Sequence, residues 1–306
     1  MMMKYLYLSG SPKIFLSMSG LRVEEFDALV DDVRPLFTVA EVARLSRPDR
    51  QRAMGGGLEA ELTMRDQVLL TVICLRQYPT QDVLGYFFGV SQPSVSRILK
   101  RVLPLLEADG RDRMRMPDPG RKRRRHLDEL LQAMPELMVV IDSFEQKVQR
   151  PKDDDERDEW YSGKKKTHTI KSQTAVDEDT GEIVDVPDSV PGPRSDLKLL
   201  EQSGLMKRLP EGVGGLGDCG YQGIDKLHPK GHSPPKKPRG KDRPFEDVAY
   251  NTAFSRRRSI VENTNARLRR YQSLAQTDRH HRQNHTQRVR AVAGLVNRQI
   301  RGRLLA

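Results

Sequence analysis

The sequence predicts a helical N-terminal half followed by a C-terminal half of the α/β class. Between residues 21 and 107 apolar side chains recur at helical spacing. From residue 137 onward, short apolar runs alternate with turn signals in the way that is typical of strands. The length of 306 residues agrees with two domains, at roughly 100–200 residues per domain.

Residues 21–46 predict helical structure, because Phe26, Leu29 and Val33 fall on one face. The preceding residues contain short apolar runs that are broken by Lys, Ser, Gly and Pro, and these runs are too short for a signal peptide. We interpret them as a ragged start, with Met18 as an alternative initiator.

The segment from residue 80 to residue 107 has the pattern of two successive helices. Thr80 and Ser91 are typical N-terminal caps, Gly89 breaks the first helix, and Pro93 suits the first turn of the second. This pattern predicts a helix-turn-helix whose second helix contacts DNA, although an ordinary α-hairpin would show the same signals. The side chains expected to face DNA are Gln92, Ser94, Ser96, Arg97, Lys100 and Arg101.

The C-terminal half begins with a buried strand at residues 137–144. Residues 166–176 and 182–190 flank a polar turn and predict an antiparallel hairpin. A helix, a Gly-rich strand and further helices follow. Three strands, a helix, a strand and then helices is the order expected of a ribonuclease-H-like layer. The predicted fold class is therefore a ribonuclease-H-like α/β domain preceded by an all-α helix-turn-helix domain.

Composition divides the chain further. Residues 47–57 end in three glycines and predict a flexible joint, and a Lys- and Arg-rich segment with prolines predicts a linker. The predicted units are an N-terminal helical arm and joint (1–57), a helix-turn-helix domain (58–110), a basic linker (111–135) and a catalytic α/β domain (136–306).

The net charge of +11 is concentrated at the C-terminal end. Residues 256–306 contain thirteen arginines, no lysine and two acids, whereas the rest of the chain is balanced. An arginine-only excess favours bidentate phosphate contacts and thus a nucleic-acid partner over a merely solvated tail. We interpret this segment as the phosphate-holding wall of an active site.

Two cysteines provide no disulfide framework, and the sequence contains no apolar run long enough for a membrane span. We therefore expect a cytoplasmic protein without a membrane partner.

Three carboxylates occupy places that would converge at one edge of the sheet. Asp142 ends a buried strand, Asp218 follows a later strand, and Glu262 lies in a following helix. Mg²⁺ is held by a few carboxylates together with substrate phosphate, and two such ions about 3.5–4 Å apart support phosphodiester chemistry. Singly, each acid has an ordinary explanation in a strand end, a turn or a surface ion pair. Together, in this order and beside so many arginines, they favour catalysis.

The ordered motifs of the chain resemble those of a known protein family. The chain is similar to bacterial insertion-sequence transposases of the DDE type, insertion sequence five group, with a transposase-type helix-turn-helix. The resemblance extends from about residue 21 to residue 300. It depends on the ordered segments GGG, LRQYPTQDVLGYFFGVSQPSVSRIL, VIDSFEQ, WYSGKKKTHTIKSQ, GDCGYQG and RSIVENTNARLRRY.

The resemblance implies that Asp142, Asp218 and Glu262 hold two Mg²⁺ ions, with Mn²⁺ as a substitute. Arg258 and Arg269 match the family's Arg-x₃-Glu-x₆-Lys signature, with Arg in the last place. Where related groups carry a Tyr three residues before that first Arg, this chain has Ser255, so a tyrosine–phosphate contact is not expected.

The resemblance also leaves one alternative for the second carboxylate. Relatives often show His-Asp after the third strand, and this chain has Ser195-Asp196. Asp196 suits the first turn of a helix as an ordinary helix-start acid. Asp218 directly follows a strand and is preferred.

Further polar residues are candidates for DNA contact near the active site. Trp160, Tyr161 and His168 flank a lysine run and are suited to stacking on a frayed base, although a solvated hairpin tip would look the same. His281 and His285 have a zinc-capable spacing but lack a third ligand. The remaining basic candidates are Lys164, Lys165, Lys166, Arg267, Arg269 and Arg270.

These expectations describe a DNA transposase acting in the bacterial nucleoid. It would bind double-stranded inverted-repeat ends, cleave them by two-metal hydrolysis and join the 3′-hydroxyl to target DNA, with a homodimer on DNA as a plausible assembly. Two alternatives stay open: a catalytically silent DNA-binding regulator derived from a transposase, and a metal-dependent structure-selective nuclease.

Overall fold

The computed structural model describes residues 3–46, 61–121, 134–135, 137–235 and 245–304, without the side chains of residues 245–247. The predicted flexible joint at 47–57 and most of the second half of the predicted linker lie outside these residues. No helix in the described part of the chain is long and apolar enough to cross a membrane.

The N-terminal residues are folded against the rest of the molecule. Three helices occupy this region: α1 (Tyr5–Leu8), α2 (Pro12–Ser19) and α3 (Val23–Leu45). Phe15 of α2 is fully buried, and its ring lies 5.3 Å from that of Phe26, centroid to centroid. Residues 3–20 therefore form packed structure, and the alternative initiator at Met18 stays a prediction. Burial of this aromatic pair stabilises the segment, and its partners are not evident from local sequence.

The next unit is the predicted helix-turn-helix, formed by α4 (Met64–Gln77), α5 (Gln81–Phe88) and α6 (Gln92–Asp112). Thr80 Oγ1 accepts from Val83 N, and Ser91 Oγ accepts from Ser94 N, each at 3.4 Å. Gly89 ends α5 with a positive φ of 70°. The caps and the glycine therefore set the turn that orients α6, as the sequence predicts. Helix α6 continues to Asp112 and extends past the predicted domain boundary at residue 110.

A mixed sheet forms the centre of the C-terminal half. Its strands are β1 (Leu137–Lys147), β2 (Tyr161–Ser162), β3 (Thr167–Asp177), β4 (Ile183–Asp185), β5 (Val190–Pro191), β6 (Val213–Leu216) and β7 (Gly231–His232). The order is β2-β3-β1-β6-β7, with β4 and β5 also paired to β3. Strand β3 runs antiparallel to its neighbours β1 and β4, whereas β6 and β7 continue the sheet in parallel with β1. This arrangement confirms the predicted ribonuclease-H-like fold class.

Helices cover both faces of this sheet. The helices of this half are α7 (Asp154–Trp160), α8 (Asp196–Ser203), α9 (Leu205–Arg208), α10 (Ile224–Leu227), α11 (Phe245–Leu268), α12 (Gln272–Ala275) and α13 (His285–Leu304). Helices α8, α9 and α10 cover one face, and α11 and α13 cover the other. Side chains of β1 alternate between two cores: Met138 and Val140 face one, Val139 and Ile141 the other. The first of these cores also contains residues of α11, α13 and the helix-turn-helix.

Helices α6 and α13 join the two halves. A Cβ added at Gly294 would lie 2.5 Å from the Cα of Gly110, so the two backbones approach as closely as two glycines allow. Since the helix-turn-helix shares this core with the sheet, α6 is held in a fixed position relative to β1.

Candidate active site

Asp142 lies within β1, on the face that it shares with Val140 and Phe144. Strand β1 continues five residues beyond it, so the predicted strand-end position is not observed. Its Oδ2 accepts a hydrogen bond from Asn265 Nδ2 of α11 at 2.9 Å. Since α11 covers this face, the sheet and the helix together fix the carboxylate.

The pKa of Asp142 is raised, with burial as the main cause. The negative charge of Asp218 adds to this rise, whereas the positive charge of Arg258 opposes it. The charges of one other carboxylate and one arginine therefore act on the Asp142 carboxyl group.

Asp218 reaches the same edge of the sheet through the register of β6. Leu216 pairs in parallel with Val140, and the chain advances two residues from each to reach Asp218 and Asp142. Asp218 caps the turn that follows, because its Oδ1 accepts from Gly220 N at 2.7 Å. The turn thus orients the Asp218 side chain at the carboxyl end of β6.

Glu262 projects from α11 into an open cavity that Asp142 also lines. It is exposed and lies three residues before Asn265, so the two side chains share one face of the helix. The cavity has a volume of about 340 Å³ and is lined by Asp142, Glu262, Asn265, Ala266, Arg269 and Arg270.

The donor set matches the oxygen chemistry that Mg²⁺ prefers. Two of the carboxylates, on Asp142 and Asp218, repel each other, which is a repulsion that a divalent cation relieves. Within the described residues, however, no group of three His, Cys, Asp or Glu side chains is gathered closely enough to hold a metal ion. Asp142, Asp218 and Glu262 are therefore not gathered into one metal site in this structure.

Asp196, the alternative second carboxylate, is engaged in a different way. It opens α8, its Oδ1 accepts from Ser143 Oγ at 2.6 Å, and it pairs with Lys171 Nζ at 2.9 Å. In the described part of the chain, no cation lies within ion-pair distance of Asp218. Asp196 is therefore paired with a cation, whereas Asp218 is not paired with one in the described part of the chain.

A buried polar layer behind the acids was not predicted from the sequence. Tyr221 Oη accepts from Gln173 Nε2 at 3.0 Å, and burial raises the Tyr221 pKa well above its usual range, with the charges of Asp196 and Asp142 adding to it. Asn265 Oδ1 accepts from Thr174 Oγ1 at 2.9 Å. Tyr221 follows Asp218 by three residues, and Asn265 follows Glu262 by three. This shared spacing is the sequence signal by which the two residues could have been found.

The two signature arginines lie at the site. Arg258 is half-buried one helical turn before Glu262, and Arg269 lines the cavity with its guanidinium 5.7 Å from the centroid of the Phe144 ring. Several other arginines of residues 256–306 do not line the active-site cavity. Arg288 and Arg298, for example, form internal ion pairs with Asp278 and Asp109, so the interpretation of the whole segment as an active-site wall is corrected.

The recognition helix exposes some of the predicted residues and partly buries others. Gln92, Arg97 and Lys100 are exposed on α6, whereas Ser94 and Ser96 are half-buried. Arg101 pairs with Glu41 of α3 at 3.0 Å and lies 5.5 Å from the Phe37 ring centroid. In this structure Arg101 therefore attaches α6 to α3.

The lysine run lies apart from the carboxylates. Lys164, Lys165 and Lys166 are exposed at the turn between β2 and β3, where Lys166 has a positive φ of 54°. Tyr161 and His168 line a separate cavity on the same hairpin. Trp160 lies under the guanidinium of Arg282, 4.5 Å from its ring centroid, so that face of the ring is covered.

The zinc-type histidine pair does not form a metal site. His285 is fully buried: its Nε2 lies 2.8 Å from Gln146 Oε1 and its Nδ1 lies 2.9 Å from Ser189 Oγ. Burial lowers the His285 pKa to about 3, which keeps the ring neutral. His281 is exposed. His285 therefore connects β1 to α13 and has no room for a cation.

Comparison with known proteins identifies the family. Residues 141–297 match the family model described as a DDE superfamily endonuclease, and residues 60–112 match the helix-turn-helix of DDE superfamily endonuclease. The chain belongs to the DDE superfamily endonucleases. Members of this superfamily use divalent metal ions. The resemblance to DDE transposases and the predicted helix-turn-helix are thus confirmed, and the insertion sequence five group stays a prediction.

A curated relative extends the match to almost the whole chain of this DDE endonuclease. A probable transposase for insertion sequence element IS702 from Microchaete diplosiphon is 30% identical over 285 residues, which cover 92% of this chain and 93% of the relative. Among solved structures, a pre-cleavage Mos1 transpososome matches at 12% identity over 76% of this chain and 84% of that one, with a TM-score of 0.20. A Mos1 transposase paired-end complex with the left transposon end matches at 13% over 78% and 86%, also with a TM-score of 0.20.

Proposed function

We propose that this DDE endonuclease is a DNA transposase. It binds the inverted-repeat ends of a mobile element, hydrolyses a phosphodiester bond there and joins the freed 3′-hydroxyl to target DNA. One observation carries the proposal: Asp142 and Glu262 line one cavity, and Asp218 follows the end of β6, the strand that pairs with β1. The near full-length similarity to a probable insertion-sequence transposase supports the same function.

Asp142, Asp218 and Glu262 are proposed to hold two divalent metal ions. When bound, such ions activate the attacking oxygen and stabilise the leaving one. Asn265 fixes one oxygen of Asp142 by donating a hydrogen bond to it. Arg258 and Arg269 are placed to neutralise phosphate charge beside the acids.

Asp218 is the proposed second ligand because its carboxylate is free of a cation in the described part of the chain. Asp196 is committed to Lys171 and Ser143. A carboxylate that already has a positive partner attracts a metal ion less strongly than one without.

Residues 58–110 are the proposed end-binding unit and residues 136–306 the proposed catalytic unit, with 111–135 between them. Gln92, Arg97 and Lys100 are exposed on α6 and available to the DNA grooves and phosphates. Pairing of two ends in one complex favours a homodimer on DNA, acting at the nucleoid.

A nicking assay tests the proposal. With Mg²⁺ and a duplex that carries the element's end sequence, the wild type is expected to nick the end. Asp142→Asn, Asp218→Asn and Glu262→Gln are expected to abolish nicking while DNA binding survives, and Asp196→Asn retains it. Adding a target plasmid then yields joined products.

Other results have clear meanings. Activity of Asp218→Asn with loss in Asp196→Asn would assign the second ligand to Asp196. A wild type that binds but never nicks would be a silent regulator, and nicking without joining would indicate a nuclease.

A further inference from the structure

A second cavity, which we call the basic pocket, lies beside the candidate active site. It has a volume of about 350 Å³ and collects residues from the N-terminal helices, the helix-turn-helix and the C-terminal helices. Its basic lining residues are Lys13, Arg22, Arg76, Arg270 and Arg303. One acid, Glu25, also lines it, and Glu25 Oε2 accepts from Arg22 N at 2.8 Å in the cap of α3.

Although Glu25 lines the pocket, the basic side chains do not form ion pairs with it. Within the described residues, none of the five basic side chains lies within ion-pair distance of a carboxylate. Arg76 is partly withdrawn from water, and both this burial and the charge of Arg270 lower its pKa. Arg267 next to the pocket shows the same effect from burial and from Arg303 and Arg270. The like charges are therefore close enough to repel one another.

Packing holds the charges together despite this repulsion. The Arg76 guanidinium lies 5.2 Å from the ring centroid of the buried Tyr271. Gly20 closes the turn after α2 with a positive φ of 80°, and a Cβ there would lie 3.0 Å from Tyr271 Oη and 3.3 Å from Arg76 Cδ. Gln299 Nε2 donates to Tyr271 Oη at 3.1 Å. The pocket is thus built before any ligand arrives.

The basic pocket and the active-site cavity have one lining residue in common. Arg270 lines both cavities, and Arg269 stands next to it facing Asp142 and Glu262. A strand of nucleic acid whose phosphate lies at the carboxylates therefore has a path of positive charge towards α2 and α3. Arginine binds phosphate through paired hydrogen bonds, which suits such a path.

We propose that the basic pocket binds backbone phosphates of the same DNA duplex that enters the active site, and that Lys13 and Arg22 make the N-terminal helices part of the DNA-binding surface. The inference deepens the proposed function and rests on it for the identity of the polyanion. Because phosphate contacts carry no sequence information, the pocket adds affinity without adding preference for one sequence.

A triple substitution of exposed residues tests this site. Lys13→Gln, Arg22→Gln and Arg303→Gln remove three positive charges with little effect on the core, since all three side chains are exposed. A matched control removes three exposed lysines on α8, α9 and α10: Lys198→Gln, Lys207→Gln and Lys226→Gln. A charge-keeping variant, Lys13→Arg with Arg22→Lys and Arg303→Lys, checks for misfolding.

Fluorescence anisotropy of the full chain, with an end-sequence duplex and an unrelated duplex of equal length, measures Kd across a salt series. Each lost phosphate contact lowers the slope of log Kd against log salt by about 0.9. The pocket variant is expected to lose roughly two to three units of slope and to bind both duplexes about tenfold or more weakly, with an unchanged ratio between them. The charge-keeping variant should bind like the wild type.

Equal affinities and slopes for the pocket and control variants would overturn the inference, as would a loss confined to the end-sequence duplex. Nicking is scored separately. If the pocket variant loses DNA binding and the wild type does not nick, the basic pocket is a phosphate site but the proposed transposase function is wrong. If the pocket variant binds like the wild type and the wild type nicks and joins DNA, the transposase function holds but the basic pocket is not a phosphate site.

Discussion

Ten arginines of α11, of the turn after it and of α13 fall into two groups that differ in their partners. One group forms internal ion pairs, each with a carboxylate on another element or loop: Arg257 with Glu178, Arg288 with Asp278, Arg290 with Glu107, Arg298 with Asp109, and Arg301 with Glu182. The other group has no carboxylate within ion-pair distance in the described part of the chain and lies in or next to the two cavities: Arg258, Arg267, Arg269, Arg270 and Arg303.

The difference shows that one residue type serves two purposes along the same segment. Arg298 reaches Asp109 of α6 and Asp32 of α3 at 2.9 and 2.7 Å, so it joins the catalytic half to both helical regions. The open group instead leaves its charge available to a ligand. Removing an internal arginine should therefore change the free energy of unfolding, and removing an open one should change DNA affinity or catalysis.

The largest expected effect is on the internal side, at Arg288. This residue is 2% exposed and pairs with Asp278, which is also 2% exposed. Arg288→Met leaves Asp278 buried without its cation, and breaking such a pair costs about 3–5 kcal/mol. Urea unfolding measures the loss. The open-group control, Arg303→Met, should stay within about 0.5 kcal/mol of the wild type.

Equal losses in Arg288→Met and Arg303→Met would remove the distinction between the two groups. A loss only in Arg303→Met would reverse it.

A smaller effect concerns two histidines of the same region, one internal and one open. The His285 pKa is lowered to about 3, compared with about 6.5 in an unfolded chain. Between these values the unfolded state binds a proton that the folded state does not, so stability falls as the pH decreases. Going from pH 7 to pH 5 should cost about 2 kcal/mol through this residue alone.

The measurement compares urea unfolding at both pH values. His285→Gln should start less stable at pH 7 but lose about 2 kcal/mol less than the wild type on acidification. His281→Gln, at an exposed position, should follow the wild type. If all three proteins show the same pH dependence, His285 is not held neutral by burial.

Local signals explain which parts were predictable. The caps at Thr80 and Ser91 and the turn at Gly89 lie within a few residues of the helices that they define, so the helix-turn-helix could be predicted. Asp142 and Asp218 could be paired because parallel strands bring their carboxyl ends to one edge. The ribonuclease-H-like fold class could be predicted from the succession of strand and helix patterns along the chain.

What the sequence did not reveal depends on partners that are distant along the chain. Arg298 and Asp109 are 189 residues apart, and nothing near Arg298 marks it as internal. Phe15 is buried only because α2 folds back on α3 and α4. The contact between Gln173 and Tyr221 likewise depends on β3 passing behind the acids. Periodicity predicts elements, whereas these roles arise from how the elements pack.

The same comparison extends to the recognition helix. Arg97 is exposed on α6, whereas Arg101, one turn later, pairs with Glu41. Arg97→Ala should reduce the preference for end DNA over random duplex by about 1–3 kcal/mol, because a base contact is lost, with stability unchanged. Arg101→Ala should instead lower the free energy of unfolding by about 1 kcal/mol or less and keep the preference. Competition binding with both duplexes and urea unfolding separate the two outcomes. Unchanged discrimination in Arg97→Ala would place sequence reading elsewhere, and loss of discrimination in Arg101→Ala alone would mean that the internal arginine leaves Glu41 to contact DNA.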